Sequence, residues 1–272
     1  MEYFYKPKTY FLLTFVFTFI FWGAAAHLSF DNTSNLYLVF VLLGLISPFL
    51  ACLFMILKSK NRRLKYAFIN KLFNFKLINI KMIPFLIFFM PFSVILSVFI
   101  SVFFGGSIEQ LTFSQSFSFS TGFIPVFLIL LLAAVFEELG WRGYGFESLE
   151  SRYSFFTASV IFSVLWSLWH LPLIFINNTY QYEIFHLNIW YCINFYFSII
   201  PLGIIVSWFC MKNNKSIISA VVFHFIINLS QEAFNITQSV KIIQFFVLTF
   251  FALLIVWMDW DLFFSKKDCS ND

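Results

Sequence analysis

The sequence predicts an all-α, polytopic integral membrane protein, on three observations. Hydrophobic residues make up 61% of the 272-residue chain and charged residues only 11%, with a mean hydropathy of +0.87. A water-soluble domain averages roughly 45–50% apolar and about 25% charged, so most of this surface must face lipid. The apolar residues fall into about eight stretches, each near the ~20 residues that a membrane span requires. When those stretches are threaded through a bilayer, 16 of the 17 Lys and Arg residues fall on one side.

The stretches are residues 10–28, 36–57, 82–104, 122–140, 156–176, 189–211, 216–235 and 242–260. The first is long enough to span and is not read as a removable signal peptide, although Ala24-Ala25-Ala26 imitates a cleavage site. Polar punctuation separates them: Asp31-Asn32-Thr33-Ser34, the basic stretch Lys58 to Lys81, Gly105-Gly106-Ser107, Asn177-Asn178 and Lys212-Asn213-Asn214-Lys215. The weakest break is Gln231 to Lys241, and without it the count falls to seven. Neither a fixed-period repeat nor a soluble domain is visible, so residues 1–272 are expected to form a single membrane domain.

Lys and Arg accumulate on the cytoplasmic side of such proteins, and short loops decide the matter. With the N-terminus inside, only Lys241 lies outside. The expectation is a bacterial-type plasma membrane with both termini cytoplasmic. A basic face beside anionic lipids accounts for the pI of 8.8, so membrane lipids, and no nucleic acid, are the expected partners. The 58–81 stretch alternates cations with apolar residues and reads equally as an amphipathic segment along the headgroups or as a plain basic loop. Cys52, Cys192, Cys210 and Cys269 have neither metal-ligand spacing nor a disulfide framework; they read as small apolar residues.

Against this background AVFEELGWRGYGF, residues 133–145, stands out. Three ionisable groups would cost roughly 7–10 kcal/mol at mid-depth if none were paired. Glu138 and Arg142 are four residues apart and share a helix face, so they can pair. Glu137 lies about 100° around the same helix without a sequence-local partner, which suits a carboxylate that accepts a proton. A bland reading makes the trio an interfacial helix end. SVLWSLWHLPL places His170 in an apolar helix, with Trp166 one turn before it as a wall for the imidazole; taken alone, such a residue is more often a satisfied core histidine. ISAVVFHFIINLS sets His224 and Asn228 four apart, facing one cleft; taken alone, the pair reads as helix–helix glue. Taken together, a carboxylate, an imidazole and an imidazole–amide pair are the parts for hydrolysing an amide with water.

In that order along the chain, Glu137-Glu138-x-x-x-Arg142, His170 and His224-x-x-x-Asn228 resemble the CAAX-protease and bacteriocin-processing (Abi) family of intramembrane proteases. Trp166 stands where the family pattern usually has Phe, and WRGYGF and Trp169-His170-Leu171-Pro172 add to the likeness. It covers residues 122–235, the expected catalytic core. The resemblance implies a CAAX-protease-like helical bundle with a cytosol-facing cavity. It implies that Glu137 and His170 activate water, Glu138 and Arg142 hold the first motif in place, and His224 and Asn228 bind the oxyanion. The implied substrate is a membrane-associated peptide or protein tail, lipidated in the family's eukaryotic role. A metal-free glutamate mechanism is favoured; the alternative is Zn²⁺ on Glu137, His170 and His224. Two other classes compete: a non-catalytic bacteriocin-immunity or peptide-binding protein, and a transporter using the Glu and His groups as a proton relay, which lacks the expected internal symmetry.

The span boundaries raise a depth problem. Glu137 falls near the inner end of the fourth span, whereas His170 lies ~21 Å from the inner end of the fifth. Either the fifth span starts nearer residue 160, or the 141–155 segment re-enters the protein, turning at Gly143 and Gly145, with the fourth helix set deeper.

Overall fold

A computed structural model describes residues 3–31, 35–114 and 126–265; Cys269, Lys266 and Lys267 lie outside the described residues. The described chain is built from helices: α1 (Pro7–Leu28), α2 (Leu36–Ser59), α3 (Arg62–Phe73), α4 (Ile83–Val102), α5 (Val126–Gly140), α6 (Phe146–Glu150), α7 (Phe155–Trp169), α8 (Tyr180–Leu187), α9 (Ile189–Lys212), α10 (Ile217–Glu232), α11 (Gln238–Met258) and α12 (Trp260–Phe264). An isolated bridge between Phe113 and Phe234 is the sole β-type pairing among the described residues. Among the described residues, six segments are long and apolar enough to cross a bilayer: Pro7–Leu28, Leu36–Ser59, Ile80–Val102, Phe155–Phe175, Ile189–Lys212 and Gln238–Met258. The other two predicted stretches are occupied by α5 and α10, which are shorter, at 15 and 16 residues. The weak break after Gln231 is real: α10 ends at Glu232 and α11 starts at Gln238.

Polar residues set the helix starts. Asn61, Ser154, Thr179, Asn188 and Ser216 each accept a hydrogen bond from a backbone N–H of the following first turn, which satisfies donors that the helix itself leaves unpaired. The tertiary order is α1 on α2, α2 on α5, α5 on α10, α10 and α11 on α4, and α9 between α7 and α11. Glycines permit close approaches between helices. A Cβ on Gly140 would run into the backbone of Pro48, and one on Gly44 into the ring of Trp22. Trp22 also donates its indole N–H to the Val41 carbonyl at 2.9 Å, tying α1 to α2.

The two ends of the bundle differ. One gathers residues 3–6, α3, α6, the α9–α10 turn and α12. There Lys71 and Glu147 pair at 2.8 Å, Lys215 and Glu150 at 2.8 Å, and Tyr5 donates to Glu147 at 2.8 Å. The basic 58–81 stretch is therefore more than a loop: α3 docks Leu64, Phe68 and Lys71 on the bundle and leaves Tyr66 and Phe73 exposed. At the opposite end Ser29 meets Asn177, and Tyr180 meets Gln238.

The predicted end of the fourth span at residue 140 is wrong, and the error dissolves the depth problem. After Gly140 the chain continues as a π-helical turn, Trp141–Gly145, and then as α6 to Glu150. The 141–150 segment does not turn back, and α7 starts at Phe155 rather than near 160. Glu137 lies 13 residues, ~20 Å, before the end of this helix, and His170 lies 15 residues, ~22 Å, after the start of α7. The fourth helix does sit deeper, by one extra helical segment. Gly143 and Gly145 serve packing here, because a Cβ on either would crowd Phe68, Cys52 or Tyr10. Cys52, Cys192 and Cys210 are buried free thiols.

Candidate active site

Glu137 and Glu138 are the last charged residues of α5 before the π-helical turn, and both are buried. Arg142, on that turn, reaches back one helical turn: its Nη1 is 3.1 Å from Glu138 Oε2 and donates to Oε1 at 3.3 Å. The other face of the guanidinium covers the Phe162 ring at 4.4 Å, a cation–π contact that helps offset the loss of water. The predicted i,i+4 pair therefore forms, enclosed between α5 and α7.

Glu138 does more than the sequence suggested. Its Oε1 also accepts from His224 Nδ1 at 2.9 Å, so a carboxylate on α5 fixes an imidazole on α10. A carboxylate cannot donate, so Nδ1 of His224 carries the proton and Nε2 is the nitrogen left for other work.

His170 is held in the same manner by a different acceptor. It caps the C-terminal end of α7, and its Nδ1 lies 2.8 Å from the Trp166 carbonyl. A carbonyl only accepts, so the proton is on Nδ1 and the neutral ring keeps a lone pair on Nε2. The Trp169 and Phe195 rings stand edge-on to it, at 4.8 and 5.8 Å.

Trp166 is the residue that sequence reasoning undervalued. It was expected only to wall the imidazole. Its indole Nε1 donates to Glu137 Oε2 at 2.9 Å, its carbonyl holds His170, and its ring stands 5.3 Å from that of His224. Glu137 thus has a partner, on α7 rather than on its own helix. The i−4 spacing from His170 was the available signal, but nothing in one sequence aims an indole N–H at a carboxylate 29 positions away.

Glu137, His170, His224 and Asn228 line one cavity of about 310 Å³. Glu138 and Arg142 stand behind its wall. Asn228 makes no hydrogen bond with the described residues, which leaves its amide available to a ligand. The lining is otherwise largely apolar, including Leu130, Ile199, Leu202, Ile227 and Leu248. The cavity extends toward Tyr180, Gln238 and Lys241, away from the basic end, and no residue of the 58–81 stretch lines it. A cytosol-facing cavity and a cytoplasmic basic end are therefore incompatible, and one of those two expectations must yield.

Among the described residues no three His, Cys, Asp or Glu side chains form a group that could hold a metal ion. Glu137, His170 and His224, the set considered for Zn²⁺, share a cavity without forming such a group.

A helical membrane protein that brings a buried glutamate, two oriented histidines and a free amide to one cavity has the architecture of an intramembrane protease. The model of the Type II CAAX prenyl endopeptidase Rce1-like family matches residues 119–230. Over 266 residues, 97% of this chain and 98% of the relative, it is 57% identical to CAAX prenyl protease 2 of Methanococcus maripaludis. The chain belongs to the CAAX prenyl endopeptidase family and is a membrane endopeptidase.

Proposed function

We propose that the chain hydrolyses a peptide bond near the end of a membrane-associated peptide or protein tail, with water activated by Glu137 and His170. The observation that carries this reading is the pinning of both Nδ1 atoms. With Nδ1–H of His170 on the Trp166 carbonyl, the free Nε2 can accept a proton from water, and Glu137 can share that load. The hydroxide adds to the carbonyl carbon, the proton passes to the leaving amine as the C–N bond breaks, and the acid and amine products leave. A positioned base is typically worth 10²–10⁴ in rate.

Asn228 donates to the oxyanion without any change of ionisation. His224 can do so only as an imidazolium, because its Nδ1–H is already committed to Glu138. Glu138 and Arg142 act behind the cavity: Arg142 holds the Glu138 carboxyl group, whose Oε1 orients His224. Zn²⁺ on Glu137, His170 and His224 is the competing assignment. Those three side chains would be its ligands, and the proton transfers proposed here use only the groups of this chain.

The apolar lining supports a substrate with a lipid or hydrophobic anchor; the relative from M. maripaludis is named a prenyl protease. For orientation we follow the charge bias: both termini lie in the cytoplasm of a bacterial-type plasma membrane, and the cavity mouth faces the other side. Thiol reagents outside intact cells should label Glu183→Cys and not Lys65→Cys in a background without native cysteines; the reverse pattern restores the cytosol-facing cavity.

The catalytic reading is tested with purified protein and a farnesylated peptide. Glu137→Gln and His170→Ala should each reduce cleavage by 10²-fold or more with unchanged thermal stability. Wild-type turnover in either variant rejects these roles.

A further inference from the structure

The 62–81 stretch joins α2 to α4 at the basic end and contains no Asp or Glu. Its helix, α3, has two apolar faces. Leu64, Phe68 and Lys71, spaced i, i+4 and i+7, are buried on the bundle. Tyr66, Ile69 and Phe73, spaced i, i+3 and i+7, form the opposite face, where Tyr66 is 72% and Phe73 66% exposed. Past α3, Phe75 and Ile80 are exposed as well. Such a face is unfavourable against water and suits the boundary between headgroups and acyl chains. Cations accompany it. Arg62, Arg63, Lys65, Lys76 and Lys81 are exposed, and none of them forms an ion pair with the described residues.

We propose that α3 and residues 74–81 form a docking surface for anionic phospholipid, and that lipid held there steadies the turn that carries Arg142. Position commits the occupant. The span α2 ends at Ser59 and the next span begins at Ile80, so the exposed aromatics between them lie where the bilayer surface is, beside lipid rather than a soluble partner. Charge commits the lipid's sign, because each Lys or Arg at the surface adds attraction to an anionic leaflet and gains little from a zwitterionic one. The surface is also fastened to the catalytic framework. Lys71 pairs with Glu147 at 2.8 Å, and its Nζ donates to the Arg142 carbonyl at 3.5 Å. A Cβ on Gly143 would meet the Phe68 ring at 2.7 Å, so α3 rests directly on the π-helical turn. Further along, the Asn79 N–H donates to Asn213 Oδ1 and Asn214 Nδ2 donates to the Leu77 carbonyl, both at 2.9 Å. These bonds tie the stretch to the turn before α10, the helix of His224. Lipid on the outer face of α3 therefore presses the inner face against the segment that positions Glu138 and His224. The effect on turnover rests on the peptidase reading above; the binding of lipid does not.

The test uses the full-length protein. In neutral detergent, added phosphatidylglycerol should raise the unfolding temperature by about 5 °C or more, and phosphatidylcholine should raise it little. Arg62→Gln, Arg63→Gln and Lys65→Gln together should abolish the gain, and so should Tyr66→Ser with Phe73→Ser; all five side chains are exposed, so both variants keep the packed face of α3. In vesicles of equal parts phosphatidylglycerol and phosphatidylcholine, kcat on a peptide of zero net charge should be about fivefold higher than in phosphatidylcholine alone, and the triple variant should show no difference. Equal stabilisation by the two lipids, or a full gain in the triple variant, overturns the surface. An equal gain from soluble glycerol phosphate marks a phosphate site and overturns the lipid assignment. Stabilisation by phosphatidylglycerol with equal kcat in both vesicles overturns the link to the Arg142 turn. Absence of cleavage in every vesicle overturns the peptidase reading and that link together, and the unfolding shift then decides the surface by itself.

Discussion

Trp166 donates its indole N–H to Glu137 across 2.9 Å. This bond joins α7 to α5 inside the cavity wall and fixes the carboxylate relative to His170, which hangs from the carbonyl of the same tryptophan. Trp166→Phe keeps an aromatic ring and removes the donor. A hydrogen bond to a charged group is worth ~1.5–3 kcal/mol, so kcat should fall about tenfold or more while the protein remains folded. Steady-state rates on a single peptide check it; an unchanged kcat would mean that Glu137 is positioned by other means.

Arg142 and Glu138 form a pair with almost no solvent exposure. Removing one partner of such a pair leaves an uncompensated buried charge and costs ~3–5 kcal/mol. Arg142→Met should lower the unfolding temperature strongly, and adding Glu138→Gln should recover much of the loss. Thermal unfolding in detergent distinguishes this outcome from simple additivity, which would show that the two groups are not coupled.

At the basic end, burial raises the pKa of the Glu147 carboxyl, but Lys71 and Lys215 outweigh that effect and hold it below its ordinary 4.5. The folded value therefore lies under the unfolded one. The stabilisation is complete above about pH 4.5 and disappears as pH falls through the folded value. The unfolding temperature should drop on acidification below that point, and less so in Glu147→Gln. Lys215 reports the same network from the alkaline side. Burial alone would lower its pKa, yet Glu150 and Glu147 raise it above 10.5, so its contribution is full below that value and fades at higher pH.

Chelation decides the metal question. Dialysis against EDTA, or addition of Zn²⁺, should leave turnover unchanged. Loss on chelation with recovery on Zn²⁺ would reassign Glu137, His170 and His224 as ligands. Asn228→Ala should cost ~2.7–4 kcal/mol of transition-state stabilisation, read as a fall in kcat larger than any rise in KM.

Much of the site was legible because its spacings are helical. Glu138 and Arg142 at i,i+4 had to share a face, as did His224 and Asn228, and each pair sits on one helix as expected. The contacts that cross helices were not legible: His224 on Glu138, Trp166 on Glu137, Trp169 Nε1 on Thr18 Oγ1 at 2.8 Å. The helix end at residue 140 was misjudged because WRGYG carries charge and glycine, the usual signs of a break. Buried partners keep it helical: Glu138 for Arg142, and Phe68 and Cys52 against Gly143.

The chain by itself determined the solvent it folds in, the apolar helices and the polar groups they carry, because hydropathy and 3.6-residue periodicity are local properties. Only the tertiary structure decided the depth of Glu137, which histidine nitrogen stays free, and the end at which the cavity opens with Lys241 in its wall. Those depend on how far each helix extends past its neighbours and on which acceptor each ring nitrogen meets, and such distances arise between segments far apart in sequence.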